Sequence, residues 1–202
     1  MSGNKVQYKK MSLEELVVLS QQNDFKALEE LIRREQRNVY ATFSYLCQKK
    51  EYVPDLTQEA LLRVAKNIQN LKNPKLFKSW LNQITTNLFY DELRKTQRKP
   101  NTISLDEDTE DVPSIKFQLP DKKCKPHEKC VTSELEKIIK TAIQNLPDQF
   151  RVVIILRELQ GLSYDEIAKA THSSVGTVKS RIFRAREKLY QILSEEEVGN
   201  NE

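Results

Sequence analysis

The stretch SYDEIAKATHSSVGTVKSRIFRAREK, residues 163–188, decides the fold and reads as two helices joined by a tight turn. Ser163 stands three residues before Glu166, the spacing of a capping box in which hydroxyl and carboxylate each accept from a free backbone N–H. Ile167, Ala168 and Ala170 give the first helix a small apolar face, and His172, Ser173 and Ser174 interrupt it with residues that favour turns and caps. On the second helix Val175, Val178, Ile182, Ala185 and Leu189 recur at steps of three and four and so share one face. At about 100° per residue the opposite face carries Gly176, Ser180, Phe183, Arg184 and Glu187, flanked by Thr177, Lys179, Arg181 and Lys188. Small polar residues, cations and one large aromatic suit a helix lying in the major groove against phosphates and thymine methyls. Exposed cations alone would merely solvate a helix. Cap, turn, apolar face and basic face together point to a DNA-binding helix-turn-helix.

Working outward, a chain of 202 residues is comfortable as two small domains. Its 33 basic and 29 acidic residues leave a net charge of only +4, so nucleic-acid binding has to come from local clustering. No apolar run approaches the roughly 20 residues of a membrane span, and none opens the chain as a leader, which makes a soluble cytoplasmic protein the expectation. Three cysteines argue against a disulfide framework, and the absence of a Gly-rich phosphate loop argues against a nucleotide-hydrolysing enzyme.

Upstream, the pattern is helical throughout, and an all-α fold is predicted. One helix starts at Ser12, which has Glu15 three residues on, and another spans residues 24–47 with Phe25, Leu28, Leu31, Ile32, Val39, Phe43 and Leu46 as its apolar stripe. Pro54 permits a break, and DLTQEALLRV at residues 55–64 opens a helix with negative charge at the favourable dipole end. Leu56, Ala60, Leu61, Val64 and Ile68 pack inward, leaving Asp55, Gln58, Glu59 and Arg63 outward options. A polar loop with the helix stop Asn73-Pro74 follows, then a helix over residues 76–96 with Trp80, Ile84, Leu88 and Leu93 as core and a polar to basic side that includes Lys78 and Asn87. Aromatics beside amides and cations also suit single-stranded nucleic acid, because bases stack and phosphates need neutralising.

Between residues 100 and 129 the amphipathic period is lost. Asp106, Glu107, Asp108, Glu110 and Asp111 form an acidic run, and Pro113, Pro120 and Pro126 are expected to break any helix, so this reads as a flexible acidic linker. Cys124, His127 and Cys130 have no nearby fourth ligand and read as free thiols and an ordinary histidine; no metal or cofactor is expected. Beyond the linker one helix ends at Pro147, and another spans residues 149–160 up to Gly161.

The order DLTQEALLRV, LFKSWLNQITTNLFYDELRK, an acidic linker, then LPDQFRVVIILRELQGLSYDEIAKATHSSVGTVKSRIFRAREKL strongly resembles the extracytoplasmic-function sigma factors of bacterial RNA polymerase. The likeness covers residues 25–99 and 129–193. It implies sigma region 2 at residues 1–99, a linker at 100–129 and sigma region 4 at 130–202. It implies a non-enzymatic transcription initiation factor that binds core RNA polymerase through Asp55, Leu56, Gln58 and Glu59. Leu71, Lys72, Asn73, Pro74, Lys75 and Leu76, with Lys78 and Asn87, fall where the family engages the melted minus-ten strand, as do Phe77 and Trp80, although Trp80 reads more readily as core. Thr177, Lys179, Ser180, Phe183 and Arg184 fall on the helix that reads the minus-thirty-five duplex. Partners so implied are core polymerase and promoter DNA, and the family often has an anti-sigma factor, which no residue here identifies. A conventional dimeric regulator and a recombinase are the alternatives; the latter would need a nucleophile, and Tyr40, Ser44, Tyr45 and Tyr90 form no catalytic arrangement legible in the sequence.

Overall fold

The computed structural model describes residues 7–98 and 126–199, with side chains described over residues 7–96 and 135–194. Helices α1 (Leu13–Gln21), α2 (Phe25–Leu46), α3 (Tyr52–Asn67) and α4 (Phe77–Arg98) form a first lobe. A second contains α5 (Pro126–Gln144), α6 (Asp148–Ile154), α7 (Tyr164–Ala170) and α8 (Val175–Gly199). The described residues contain no β-strand, as the helical periodicity predicted.

Local chemistry fixes the helix starts. Ser12 and Glu15 close the predicted capping box, and Asp24 caps α2 by accepting from the backbone N–H groups of Lys26 and Ala27. Asn23 between them adopts φ +67, a left-handed conformation that asparagine tolerates, so the chain reverses within a few residues. The stripe of α2 is then buried through Leu31, Val39, Phe43 and Leu46, with α1, α3 and α4 packed against this helix.

Three details differ from the sequence expectation. Phe25, the first residue of α2, is 79% exposed rather than part of the buried stripe. Helix α3 starts at Tyr52, ahead of Pro54, and α5 starts at Pro126, inside the segment read as linker. Both prolines sit in a first turn, where the missing N–H has no helical acceptor to lose. The rest of the acidic segment, with Cys124, lies outside the described residues, as do the side chains of His127 and Cys130. In α5, Leu135 and Ile139 are exposed while Ala142 and Ile143 are buried, so only the C-terminal half of the helix contributes to the core.

The Val- and Ile-rich run is helical as expected, but its end is not a regular α-helix. Ile155–Leu159 forms a π-helical turn in which Gln160 N–H donates to the Ile155 carbonyl, and Gly161 then leaves with φ +68. Val152 to Leu156 are all buried, packed chiefly against α8.

One ionic cluster ties the N-terminal turn to α2. Glu30 accepts from Arg33 and Arg34 at 2.8 Å, and Arg34 also donates to the carbonyls of Met11 and Tyr8. These hydrogen bonds, from Arg33 first and then Arg34, hold the Glu30 carboxyl down to about 2 from an ordinary 4.5. A depressed folded-state pKa stabilises above the ordinary value, and that contribution is lost as pH falls from 4.5 towards 2. Glu30→Gln is therefore expected to lower the melting temperature at pH 7, with the gap from the parent closing as the pH is taken down through that window in circular-dichroism melts.

Candidate nucleic-acid interface

Ser163 and Glu166 form the capping box of α7: the Ser163 hydroxyl accepts from Glu166 N–H, and the Glu166 carboxylate accepts from Ser163 N–H at 2.9 Å. After α7 the chain turns through His172 at φ +50, and Ser174 caps α8 by accepting from Thr177 N–H at 3.1 Å. The predicted inner face of α8 is buried at Val178, Ile182 and Ala185 and half-buried at Val175 and Leu189.

The outer face is open. Lys179, Ser180, Phe183 and Arg184 are exposed and Thr177 is half-buried; Phe183, at 63% exposed, stands among polar and cationic neighbours. Lys179 Nζ lies 6.0 Å from the Tyr164 ring, while Arg186 turns aside to pair with Glu158 at 2.6 Å. The five residues predicted for duplex contact thus share one accessible surface.

On the first lobe, Asp55 and Glu59 line a cleft of about 800 Å³ between α3 and α4. Glu59 pairs with Arg63 at 2.8 Å, whereas Asp55 makes no ion pair among the described residues. Leu56 is buried, so its part in this surface is to seat the helix, and Gln58 is exposed. The cleft also brings in Tyr52, Asp91 and Glu92, which the sequence reading missed. The acidic pair Asp91-Glu92, ahead of Arg94 and Lys95, was the available signal.

The predicted strand-binding loop is held from behind. Gln21 donates to the carbonyls of Ile68 and Leu71, and Asn73 accepts from Lys75 N–H at 3.1 Å. Leu71 is buried and Pro74 half-buried, which leaves Lys72, Asn73, Lys75, Leu76 and Lys78 exposed. Phe77 is buried against the half-buried Trp80, their rings 6.1 Å apart, so Trp80 belongs largely to the core as expected. Asn87 is not brought to this loop. Eleven residues along a helix from Leu76 is about 16 Å, and Asn87 instead lines a second cleft with Tyr90, Asp148 and His172.

Comparison with known proteins gives this geometry its context. Residues 31–99 match the family model of sigma-70 region 2, and residues 136–189 match that of sigma-70 region 4. The ECF RNA polymerase sigma-E factor of Haemophilus influenzae is 37% identical over 173 residues, covering 85% of this chain and 90% of that one. The chain belongs to the ECF sigma factors. The sigma-E factor of Escherichia coli K12 is 35% identical over 85% of this chain and 89% of its own. Among solved structures, the sigma factor RpoE in complex with the anti-sigma factor NepR from Bartonella quintana aligns with a TM-score of 0.62 and 25% identity, over 85% of this chain and 97% of that one. CnrH, in complex with the cytosolic domain of CnrY, shares the fold at a TM-score of 0.62 and 21% identity, over 91% of this chain and 97% of that one. As an ECF sigma factor the chain is a transcription initiation factor, and no helix among its described residues is long and apolar enough to cross a membrane.

The caps that present α8 carry a stability consequence. Ser163→Ala removes the hydroxyl that closes the α7 box and should cost about 1 kcal/mol, read as a lower urea midpoint by circular dichroism.

Proposed function

We propose that this ECF sigma factor works as a two-handed promoter adaptor, with the second lobe on minus-thirty-five duplex and the first lobe on both core polymerase and the melted minus-ten strand. The observation that carries the reading is the outer face of α8, where Lys179, Ser180, Phe183 and Arg184 stand exposed above a buried apolar face. Cations there meet phosphates and base edges, and the Phe183 ring suits a thymine methyl.

Asp55, Gln58 and Glu59 form the polymerase contact, with Leu56 seating them. The exposed acidic start of α3 presents carboxylates to a basic partner without having to break a buried ion pair first. Lys72, Asn73, Lys75, Leu76 and Lys78 hold the melted strand at the loop anchored by Leu71 and Pro74, and Asn87 meets it further along α4. Leu76, 52% exposed at the loop tip, offers an apolar contact for an unstacked base, which costs a few kcal/mol to extrude. Residues 1–99 and 130–202 are the functional units, and the segment between them sets their spacing. Linking two weak contacts to one polymerase raises the effective concentration of each.

No catalytic residue is assigned; the polymerisation chemistry belongs to the partner enzyme, and the protein works in the cytoplasm where that enzyme is. An anti-sigma factor is a further partner, since the related RpoE was solved bound to one.

Run-off transcription from genomic fragments with purified bacterial core polymerase tests the reading: defined starts should appear only when this protein is added. Arg184→Ala should weaken promoter binding by about 1–3 kcal/mol, roughly five- to 150-fold, while co-purification with core polymerase is unchanged. Asp55→Ala with Glu59→Ala should do the reverse. Normal transcription by both variants would sink the residue assignments.

A further inference from the structure

Among the described residues no large apolar side chain is more exposed than Phe25, at 79%. Its backbone is nevertheless fixed. The Asp24 carboxylate accepts from Lys26 and Ala27 N–H with one oxygen and from the Tyr8 hydroxyl, at 3.0 Å, with the other. Arg34 in turn donates to the carbonyls of Tyr8 and Met11. A single exposed phenylalanine is ordinary on a protein surface. What sets this one apart is where it stands and what surrounds it.

The turn between α1 and α2 is tied to the loop before α4. Two residues ahead of Phe25, Asn23 Oδ1 accepts from Gln69 Nε2 at 2.7 Å, and Gln21 donates to the Ile68 and Leu71 carbonyls at 3.0 and 2.7 Å. Helix α1 also packs against both short helical turns of that loop, Ile68–Asn70 and Pro74–Leu76. Two residues of chain span at most about 7 Å, so Phe25 borders the loop. Lys9, Lys10 and Lys26 are exposed on its own side of this border, and Lys72 and Lys75 on the loop side; Glu29 lies one helical turn further along α2. An aromatic ring among cations suits an unstacked base with phosphates on either side of it. A protein partner's apolar groove would call for apolar residues beside the ring, whereas its chain neighbours are Asp24 and Lys26.

We propose that Phe25 is a second base-stacking site for the melted strand, extending the surface of Lys72, Asn73, Lys75, Leu76 and Lys78 across the α1–α2 turn. This rests on the reading of that loop as strand-binding. Leu76, at one end of the loop, offers an apolar contact to one base; Phe25, beside the other end, offers a ring face to another base of the same strand, and Lys26 and Lys72 meet the phosphates between. Stacking is tolerant of base identity, so Phe25 adds grip on the open strand without altering which promoter is chosen. The second lobe leaves the site free: α7 packs on α4, where Ser79 donates to the Glu166 carboxylate, and Phe25 stays open to water.

The test titrates holoenzyme, assembled from core polymerase and the full-length chain, with a fluorescent single strand covering the minus-ten region of a promoter mapped by run-off transcription. Phe25→Ala should weaken strand binding about fivefold or more, whereas Phe25→Trp, which keeps a stacking face, should stay close to the parent. Melting temperature and co-purification with core polymerase should be unchanged in both, since the side chain is open to water. Iodouracil placed at successive positions of the strand should photo-cross-link to Phe25 from a particular position, identified by peptide mass spectrometry. The site is overturned if Phe25→Ala binds the strand like the parent while Leu76→Ala weakens it, or if no position cross-links to Phe25. Loss of core polymerase by Phe25→Ala overturns it as well and makes the ring a polymerase contact. If Lys75→Ala and Leu76→Ala leave strand binding intact, the loop reading fails instead, and cross-linking to Phe25 decides the site by itself. If no promoter is found, the same cross-linking with the protein alone and a mixed-sequence iodouracil strand decides it.

Discussion

Everything in this molecule leans on the burial of one side of α2. The helix spans 22 residues and places Leu31, Val39, Phe43 and Leu46 in a single stripe, so a bundle must form around it to take that apolar surface from water. Helices α1, α3 and α4 meet this demand along its length. The far end of α2 then offers Thr42, Ser44 and Cys47 to the second lobe, so one helix both organises a core and carries a docking edge.

The two surfaces proposed to meet promoter DNA differ in how they are prepared. On α8 the buried face is complete before any ligand arrives, and the side chains proposed to read the duplex project from a capped helix. At the loop before α4 the backbone is pinned by Gln21 and Asn73 while its cations and Leu76 stay exposed. The first arrangement suits a regular duplex. The second presents adaptable side chains around a fixed turn, which suits an irregular single strand.

Much of this was legible in the chain itself, because capping boxes and apolar periodicity are local signals. Ser12 with Glu15 and Ser163 with Glu166 mark helix starts that the structure confirms, and Val178, Ile182 and Ala185 are buried as their spacing required. The prolines misled for an equally local reason. Pro54 and Pro126 read as breaks, yet a first turn accepts them, and which turn a proline occupies depends on where the preceding residues begin to coil. Phe25 satisfied the period of α2 but is exposed at its first position, where the packing of neighbouring helices decides burial and periodicity does not. The π-helical turn at Ile155–Leu159 and the lobe contact were not legible at all. The contact joins glutamines, a threonine and a serine that carry no pattern in one dimension.

The order of the two lobes along the chain also bears on synthesis. The core of the first lobe is completed by Leu88 and Phe89 of α4, whereas the glutamines that bridge the lobes stand at positions 144 and 160. Translation proceeds at about 5–20 residues per second and domains fold as units. The first lobe is therefore able to fold while α6 to α8 are still in the ribosome, and a newly made chain passes through an interval with α4 uncovered.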